Sequence, residues 1–398
     1  HTCAILDNGS VNCWGQGQHT GTGSTSYTPI YTDLGSGRTA VAIESGNHHT
    51  CVILDDGSLK CWGYNQYGQI GNNSAVYYNS DPVPVFLGTG RTAVSLSLGA
   101  GHTCVILDDT SLKCWGENYY GQLGDGTTTN TCTDDYDSQG NPTFICENNA
   151  STASAIDLGT GRYAVAVSAG VSHTCAILDD GSMKCWGSNG NGKLGDGTST
   201  ERLTPVSVSL STSYTVSKVS AGGSHTCVIM TDDSLWCWGN GDYIGVGEYA
   251  CEDQNTGAND LCYTPVWLNL SAKAVDLGNS HTCAILDDAN FWCWGHNNEY
   301  QLGTSNSSSE DWYVAYLPEQ TLMPTMAFGA SSQTACPAGT YNPSTGSTTS
   351  AACLDADAGH YTGSPGAASQ TPCLTGTYQP NTGQSSCLDA SAGYYVSS

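Results

Sequence analysis

Residues 49–63 read HTCVILDDGSLKCWG. Two apolar stretches flank Asp55-Asp56-Gly57, and a three-residue loop ending on a left-handed glycine is a common hairpin connection. That register pairs Leu54 with Ser58 and sets Cys51 opposite Cys61, within disulfide reach across an antiparallel pair. Alternation puts Cys51, Ile53, Leu59 and Cys61 on one side of the hairpin and Val52, Leu54 and Trp62 on the other. Both sides are apolar, as expected for a sheet packed between two neighbours.

The stretch recurs. HTC stands at His1, His49, His102, His173, His225 and His281, each time followed by a second cysteine and WG. The spacing C-x9-C is constant: Cys3/Cys13, Cys51/Cys61, Cys104/Cys114, Cys175/Cys185, Cys227/Cys237 and Cys283/Cys293. Zinc sites favour C-x2-4-C clusters and the chain has no C-x-x-C, so these pairs read as one disulfide per hairpin. Gly9, Gly57 and Gly181 supply the left-handed residue; Thr110, Asp233 and Ala289 replace it in the other copies, where a modified loop is expected. An apolar segment precedes each later HTC, and a glycine-rich loop and a short strand near proline follow WG. Four short strands per unit of about fifty residues is the pattern of a propeller blade.

The pattern GxxHTCxILxDGSxxCWGxNxxGQLGDG resembles the repeat of the regulator of chromosome condensation family, in a disulfide-bearing form found in secreted prokaryotic proteins. The resemblance covers about residues 1–330 and implies an all-β chain folded as a β-propeller. Family propellers commonly have seven blades; six hairpins make six blades the preferred expectation here, with seven the alternative. TMAFGAS (residues 325–331) resembles the strand that normally precedes HTC and is expected to complete the blade opened by His1. The nuclear GTPase-activating role of the family's eukaryotic founder is not carried over, because it depends on particular surface loops and this chain is acidic and rich in cysteine.

After residue 331 the rhythm changes. CPAGTYNPSTGSTTSAACLDADAGHY and CLTGTYQPNTGQSSCLDASAGYY resemble ephrin-receptor-like and tumour-necrosis-factor-receptor-like cysteine-rich repeats, so 331–398 is expected to be a small disulfide-rich stalk. Sequential pairing, Cys336 with Cys353 and Cys373 with Cys387, is chosen among three connectivities. The second copy stops short of the first, so a longer polypeptide is expected.

Composition bounds the function. The 398 residues carry 36 acids against 10 bases, a formal charge of −26, which repels nucleic acid and anionic membrane. No run is apolar and long enough to span a bilayer. Twenty cysteines point to an oxidising compartment, hence secretion and the cell surface, with a leader removed or outside this segment.

Remaining candidates are few. The HT histidines read as structural, each bonding to backbone within its unit, rather than as a metal ring. The insert CTDDYDSQGNPTFIC, closed by Cys132 and Cys146, places Asp135, Asp137 and Gln139 before Gly140, an oxygen-ligand spacing that imitates a calcium loop. A second insert closes through Cys251 and Cys262. Sequons stand at Asn8, Asn72, Asn149, Asn269 and Asn306, and serine- and threonine-rich loops suit O-linked glycans. No nucleophile-elbow or zinc-protease motif is present, so the chain is read as non-enzymatic and as needing no cofactor. The expected function is a structural or adhesive surface protein, self-associating as a filament protomer; the alternative is a module that binds carbohydrate or protein through propeller-face loops.

Overall fold

The computed structural model describes residues 1–74, 76–130, 153, 155–210, 212–245, 261–298 and 300–303, and the backbone of the strands Cys132–Tyr136, Pro142–Cys146 and Val314–Gln320. In the tail it describes 340–341, 354–357, 360–361, 369–373, 377–379 and 381–389. The chain divides into two compact units, His1–Leu322 and Met323–Ser398.

Every HTC segment of the first unit lies in a small antiparallel sheet, paired with the CWG segment that follows it. The second repeat shows the whole plan in Ala40–Ser45, His49–Leu54, Leu59–Tyr64 and Tyr78–Val85, paired in that order. Its hairpin has the expected register, His49 opposite Gly63, Cys51 opposite Cys61 and Ile53 opposite Leu59. The Cys51–Cys61 bridge closes across a Cα separation of 4.1 Å. Cys3–Cys13, Cys104–Cys114, Cys175–Cys185 and Cys227–Cys237 close across the same 4.1 Å, and Cys283–Cys293 across 4.2 Å. Loops of this length are worth roughly 2–3 kcal/mol each on the chain-entropy view. The fifth and sixth repeats share one continuous strand, Leu261–Leu277, which pairs with Ser234–Asn240 through Ser271 and with His281–Leu286 from Ala272 onward.

The two apolar sides of each hairpin face different neighbours. Cys51, Ile53, Leu59 and Cys61 pack with Leu96, Leu98, Val105 and Trp115 of the following repeat, while Val52, Leu54 and Trp62 pack with Val11, Cys13 and Leu34 of the preceding one. The first strands of successive repeats lie side by side, so the sheets are the blades of a β-propeller.

The expectation of six equal blades is corrected: five blades open with a paired first strand. These are the ones starting at Ala40, Ala93, Ala164, Val216 and Ala272. The hairpin opened by His1 has a second, a third and an outer strand, Thr2–Ile5, Val11–Gly15 and Ser26–Thr32, but no first strand among the described residues. Residues 325–331, read as its completion, lie outside them.

Around Cys114 the expected fourth strand falls on residues outside the described ones. In the third repeat the sheet holds three strands among the described residues, Ala93–Leu98, His102–Leu107 and Leu112–Gly116. Cys114 is paired with Cys104 and bridged to it as expected, but no described outer strand lies opposite it, as one does opposite Cys61 or Cys185. The insertion carries the hairpin Cys132–Tyr136 with Pro142–Cys146, and residues 147–152 and 154, which follow it, lie outside the described residues. After the insertion Ile156 N–H donates to Leu112 O, which closes the end of that edge as Val208 N–H does at Met183 O in the next repeat.

The modified loops expected at Thr110, Asp233 and Ala289 are not modified. These residues take φ of 68°, 67° and 62°, against 75° at Gly57, and Thr110 N–H donates to Leu107 O as Gly57 N–H does to Leu54 O. Asp109 holds the turn by accepting from Ser111 N–H and Oγ–H, so the local bonds override the left-handed cost of a side chain. Thr110→Gly is therefore expected to stabilise the chain by about 0.5–1 kcal/mol, read as a higher thermal midpoint. An unchanged or lower midpoint would show that Thr110 carries no strain.

The repeated His, Thr and Trp join neighbouring blades. His49 Nε2 lies 2.9 Å from Thr103 Oγ1 of the next repeat, and the pairs His102/Thr174, His173/Thr226 and His225/Thr282 lie at 2.9, 2.8 and 2.8 Å. These threonine hydroxyls donate in turn to the carbonyls of Gln69, Gln122, Lys193 and Tyr243. With that proton committed, each threonine oxygen accepts from the imidazole, which fixes the neutral Nε2–H tautomer. The carbonyls of Gln69, Gln122 and Lys193 also accept the indole N–H of Trp115, Trp186 and Trp238. The histidines thus bond to a hydroxyl of the adjacent blade rather than to their own backbone. Their Nδ1 atoms, at His49, His102, His173 and His225, are buried without a hydrogen-bond partner among the described residues.

Each outer strand described carries a proline at one register position. Pro29, Pro82, Pro205, Pro265 and Pro318 immediately precede the residue opposite Cys13, Cys61, Cys185, Cys237 and Cys293. Proline removes a backbone donor and so belongs on a free edge.

Among the described residues of the tail unit are two-residue strand pairs, such as Thr377–Tyr378 with Leu388–Asp389, and the Cys373–Cys387 disulfide. No helix among the described residues is long and apolar enough to cross a membrane.

Candidate functional site

The antiparallel plan sends the loops to two opposite faces. Hairpin tips such as Asp55-Asp56-Gly57 and the connections between repeats lie on one; the turns before HTC and the loops after CWG leave from the other, where His49 meets Gly63.

The tip face is an orderly charge lattice. Arg38 bridges Asp55 and Asp56 at 3.3 and 2.6 Å, Arg91 bridges Asp108 and Asp109 at 3.4 and 3.1 Å, and Arg162 bridges Asp179 and Asp180 at 2.9 and 3.1 Å. Hydrogen bonds from Ser58, Ser111 and Ser182 hold the carboxyls of Asp56, Asp109 and Asp180 below the usual range. Exposed pairs of this kind add little stability, and they leave these acids already paired.

The loop face differs from repeat to repeat. Over the first three it carries a contiguous strip of rings. His19 lies 5.4 Å from His1 and 5.1 Å from His48, His48 lies 6.3 Å from Tyr64, Tyr64 lies 6.3 Å from Tyr67 and 5.2 Å from Tyr78, and Tyr67 lies 5.8 Å from Tyr119. The rings are tilted or edge-on, with interplanar angles of 79°, 89° and 83° along His48, Tyr64, Tyr67 and Tyr119. The frame holds the strip's inner end: His19 is buried, its Nδ1 bonds to His48 O at 2.7 Å, and its own carbonyl accepts the N–H of Trp62. Burial keeps the His19 imidazole below its usual pKa. The outer end is open, with Tyr78 40% and Tyr119 55% exposed. Beside Tyr119, burial raises the Glu117 carboxyl.

Sequence reasoning missed this strip, because its tyrosines belong to no motif. The signal was Tyr64, Tyr67, Tyr119 and Tyr120 at loop positions where the fourth repeat has Ser188, Gly190 and Asn191.

Of the residues singled out in the sequence, Asn8 is exposed on a hairpin tip, its Oδ1 accepting from Ser10 N–H, and Asn269 is exposed at φ 57°. Asn72 is half-buried and its amide donates to Asn79. Asn149 and Asn306 lie outside the described residues. So do Asp137 and Gln139 of the calcium candidate; Asp135 falls in the strand Cys132–Tyr136, opposite Thr143, and Cys132 stands opposite Cys146. Cys262 is disulfide-bonded. Cys251, Cys336 and Cys353 lie outside the described residues.

Sequence profiles of the regulator of chromosome condensation (RCC1) repeat match residues 40–69, 93–122, 164–193, 216–243 and 272–301, each beginning at the paired first strand of a blade. A second profile of the same repeat matches 56–106, 114–177 and 180–229, and the matches together cover more than half of the chain. The chain belongs to the RCC1 repeat family. It is 26% identical to the ultraviolet-B receptor UVR8 of Arabidopsis thaliana over 313 residues, 77% of this chain and 66% of the receptor. It is 26% identical to the human E3 ubiquitin-protein ligase HERC2 over 234 residues, 57% of this chain but 4% of the ligase. This RCC1-repeat chain therefore spans less than two thirds of the length of either relative. Among solved structures, yeast RCC1 (Prp20) bound to Kap60 superposes with a TM-score of 0.66 at 16% identity, covering 81% of this chain and 73% of that one. Human WBSCR16 superposes with 0.58 at 19% identity, covering 76% and 71%. At such identities the likeness establishes the β-propeller fold alone.

Proposed function

We propose that this RCC1-repeat propeller is a non-enzymatic recognition module that binds a protein partner through its loop face. The observation that carries this reading is the strip from His48 to Tyr119: partly exposed aromatic rings on the one face whose loops change while the frame stays constant. Yeast RCC1, a relative in fold, is held in complex with Kap60. The hairpin bridges support an oxidising, extracellular setting, and the open amides of Asn8 and Asn269 suit N-linked glycans there. Calcium at Asp135, Asp137 and Gln139 stays a proposal of the sequence alone.

The filament reading draws support from the stapled frame, yet prolines along the outer strands oppose edge-to-edge assembly, so recognition ranks first. Photo-crosslinking residues placed at position 119 on the loop face and position 180 on the tip face separate the two. A partner captured from the native extracellular fraction by position 119 and not by position 180 is expected. Equal capture from both faces, or adducts between copies of this chain alone, would defeat the recognition reading.

A further inference from the structure

This inference deepens the recognition reading and rests on it. Through residue 130, the first three repeats contain four basic side chains of Lys and Arg: Arg38, Lys60, Arg91 and Lys113. None lies in a loop that builds the ring-bearing face. Arg38 and Arg91 are tied to the tip acids on the other side of the sheets. Lys60 runs toward the connection at Gly35, and Lys113 has the same register as Lys60, opposite Val105 as Lys60 is opposite Val52. The loop face here thus joins aromatic rings to the acids Glu117 and Asp125 with no lysine or arginine of its own, on a chain of charge −26.

The ring geometry selects among ligands. A pyranose stacks best on a flat platform, whereas Tyr64, Tyr67 and Tyr119 stand nearly perpendicular to their neighbours and open their π faces in successive directions. A cation needs one face at a time, and the π quadrupole attracts it there. Guanidinium groups also stack on such rings, and the acid excess steers a basic segment toward the face.

We propose that the loop face of the first three repeats docks a lysine- and arginine-rich segment of a partner protein, its cations seated over Tyr78, Tyr67 and Tyr119. The probe is a labelled nonapeptide of alternating lysine and arginine, titrated against the full chain by fluorescence anisotropy at low and at physiological salt. Tyr67→Ala/Tyr119→Ala is expected to weaken binding about tenfold at physiological salt, whereas Tyr67→Phe/Tyr119→Phe, which keeps both rings, retains the affinity. Tyr27→Ala, at a side chain 95% exposed on the first outer strand, should change nothing. Thermal melts show that each variant is folded.

If the double alanine variant binds like the parent, attraction is diffuse charge and the proposed seat is wrong. Should a neutral β-glucan hexasaccharide bind through the same tyrosines in place of the peptide, the occupant is carbohydrate and the basic segment is overturned. Failure of the peptide alongside successful capture from position 119 would overturn the basic segment and leave the recognition reading intact; failure of both would remove that reading too.

Discussion

Lowering the pH from 7 to 5 is expected to destabilise the disulfide-intact propeller by roughly 6 kcal/mol, a large share of what a domain of ordinary stability possesses. The cause is the inter-blade histidines. Burial lowers the pKa of His49 and His225 to about 3 and of His102 to about 4, and pushes His173 well below its usual value. Unfolded imidazoles titrate near 6.5, so between that value and about 4 the unfolded chain binds more protons than the folded one. Stability is therefore complete above pH 6.5 and is lost as the pH falls below it, with up to four protons taken up on unfolding. Glu44 works in the opposite sense: desolvation and Asp276 raise its carboxyl to about 7, so the folded chain already holds that proton at pH 5. That desolvation is partial, since part of the residue's surface still reaches solvent, which reduces its weight. Thermal midpoints across pH 5–7 check the slope; a flat profile would mean that the four imidazoles are not held neutral, and Glu44→Gln should steepen the fall.

Gly99→Ala is expected to cost about 3 kcal/mol or more. A Cβ there would stand 2.2 Å from His102 Cε1 and 2.3 Å from Gly170 O of the next repeat. Gly46, Gly170 and Gly222 meet the carbonyls of Gly99, Gly222 and Gly278 in the same way, so the first strands approach closely only because these residues lack side chains. Gly190→Ala is the control, since its site is open and its φ ordinary, and it should stay within about 0.5 kcal/mol of the parent. Urea unfolding of both decides the matter; comparable losses would refute the close-approach argument.

Hairpin register, cysteine pairing and the two-sided packing of residues 49–63 were legible because they are local: a turn, an alternation of period two and one repeated spacing. The reason for the repeated His, Thr and Trp was not. Their bonds join residues from different blades, as His102 with Thr174, and local sequence carries no record of which unit lies beside which. Thr110 misled for a related reason: a propensity against positive φ was read without the Asp109–Ser111 bonds that oppose it. Six hairpins suggested six whole blades, because counting HTC triplets counts hairpins and is blind to whether each has a paired first strand, which the described residues supply at five of them and not at His1. The aromatic strip escaped notice because it is assembled from loop residues as far apart as His1 and Tyr119, and the repeat consensus averages such positions away.

The strand Leu261–Leu277 carries a mechanical consequence. Other repeats are joined by turns such as the one at Gly35–Arg38, whereas here the backbone bends at Asn269, φ 57°, and the adjacent residues Ser271 and Ala272 pair with successive sheets. That junction leaves no linker between the fifth and sixth blades, so amides on either side of it should exchange with deuterium in a single concerted opening.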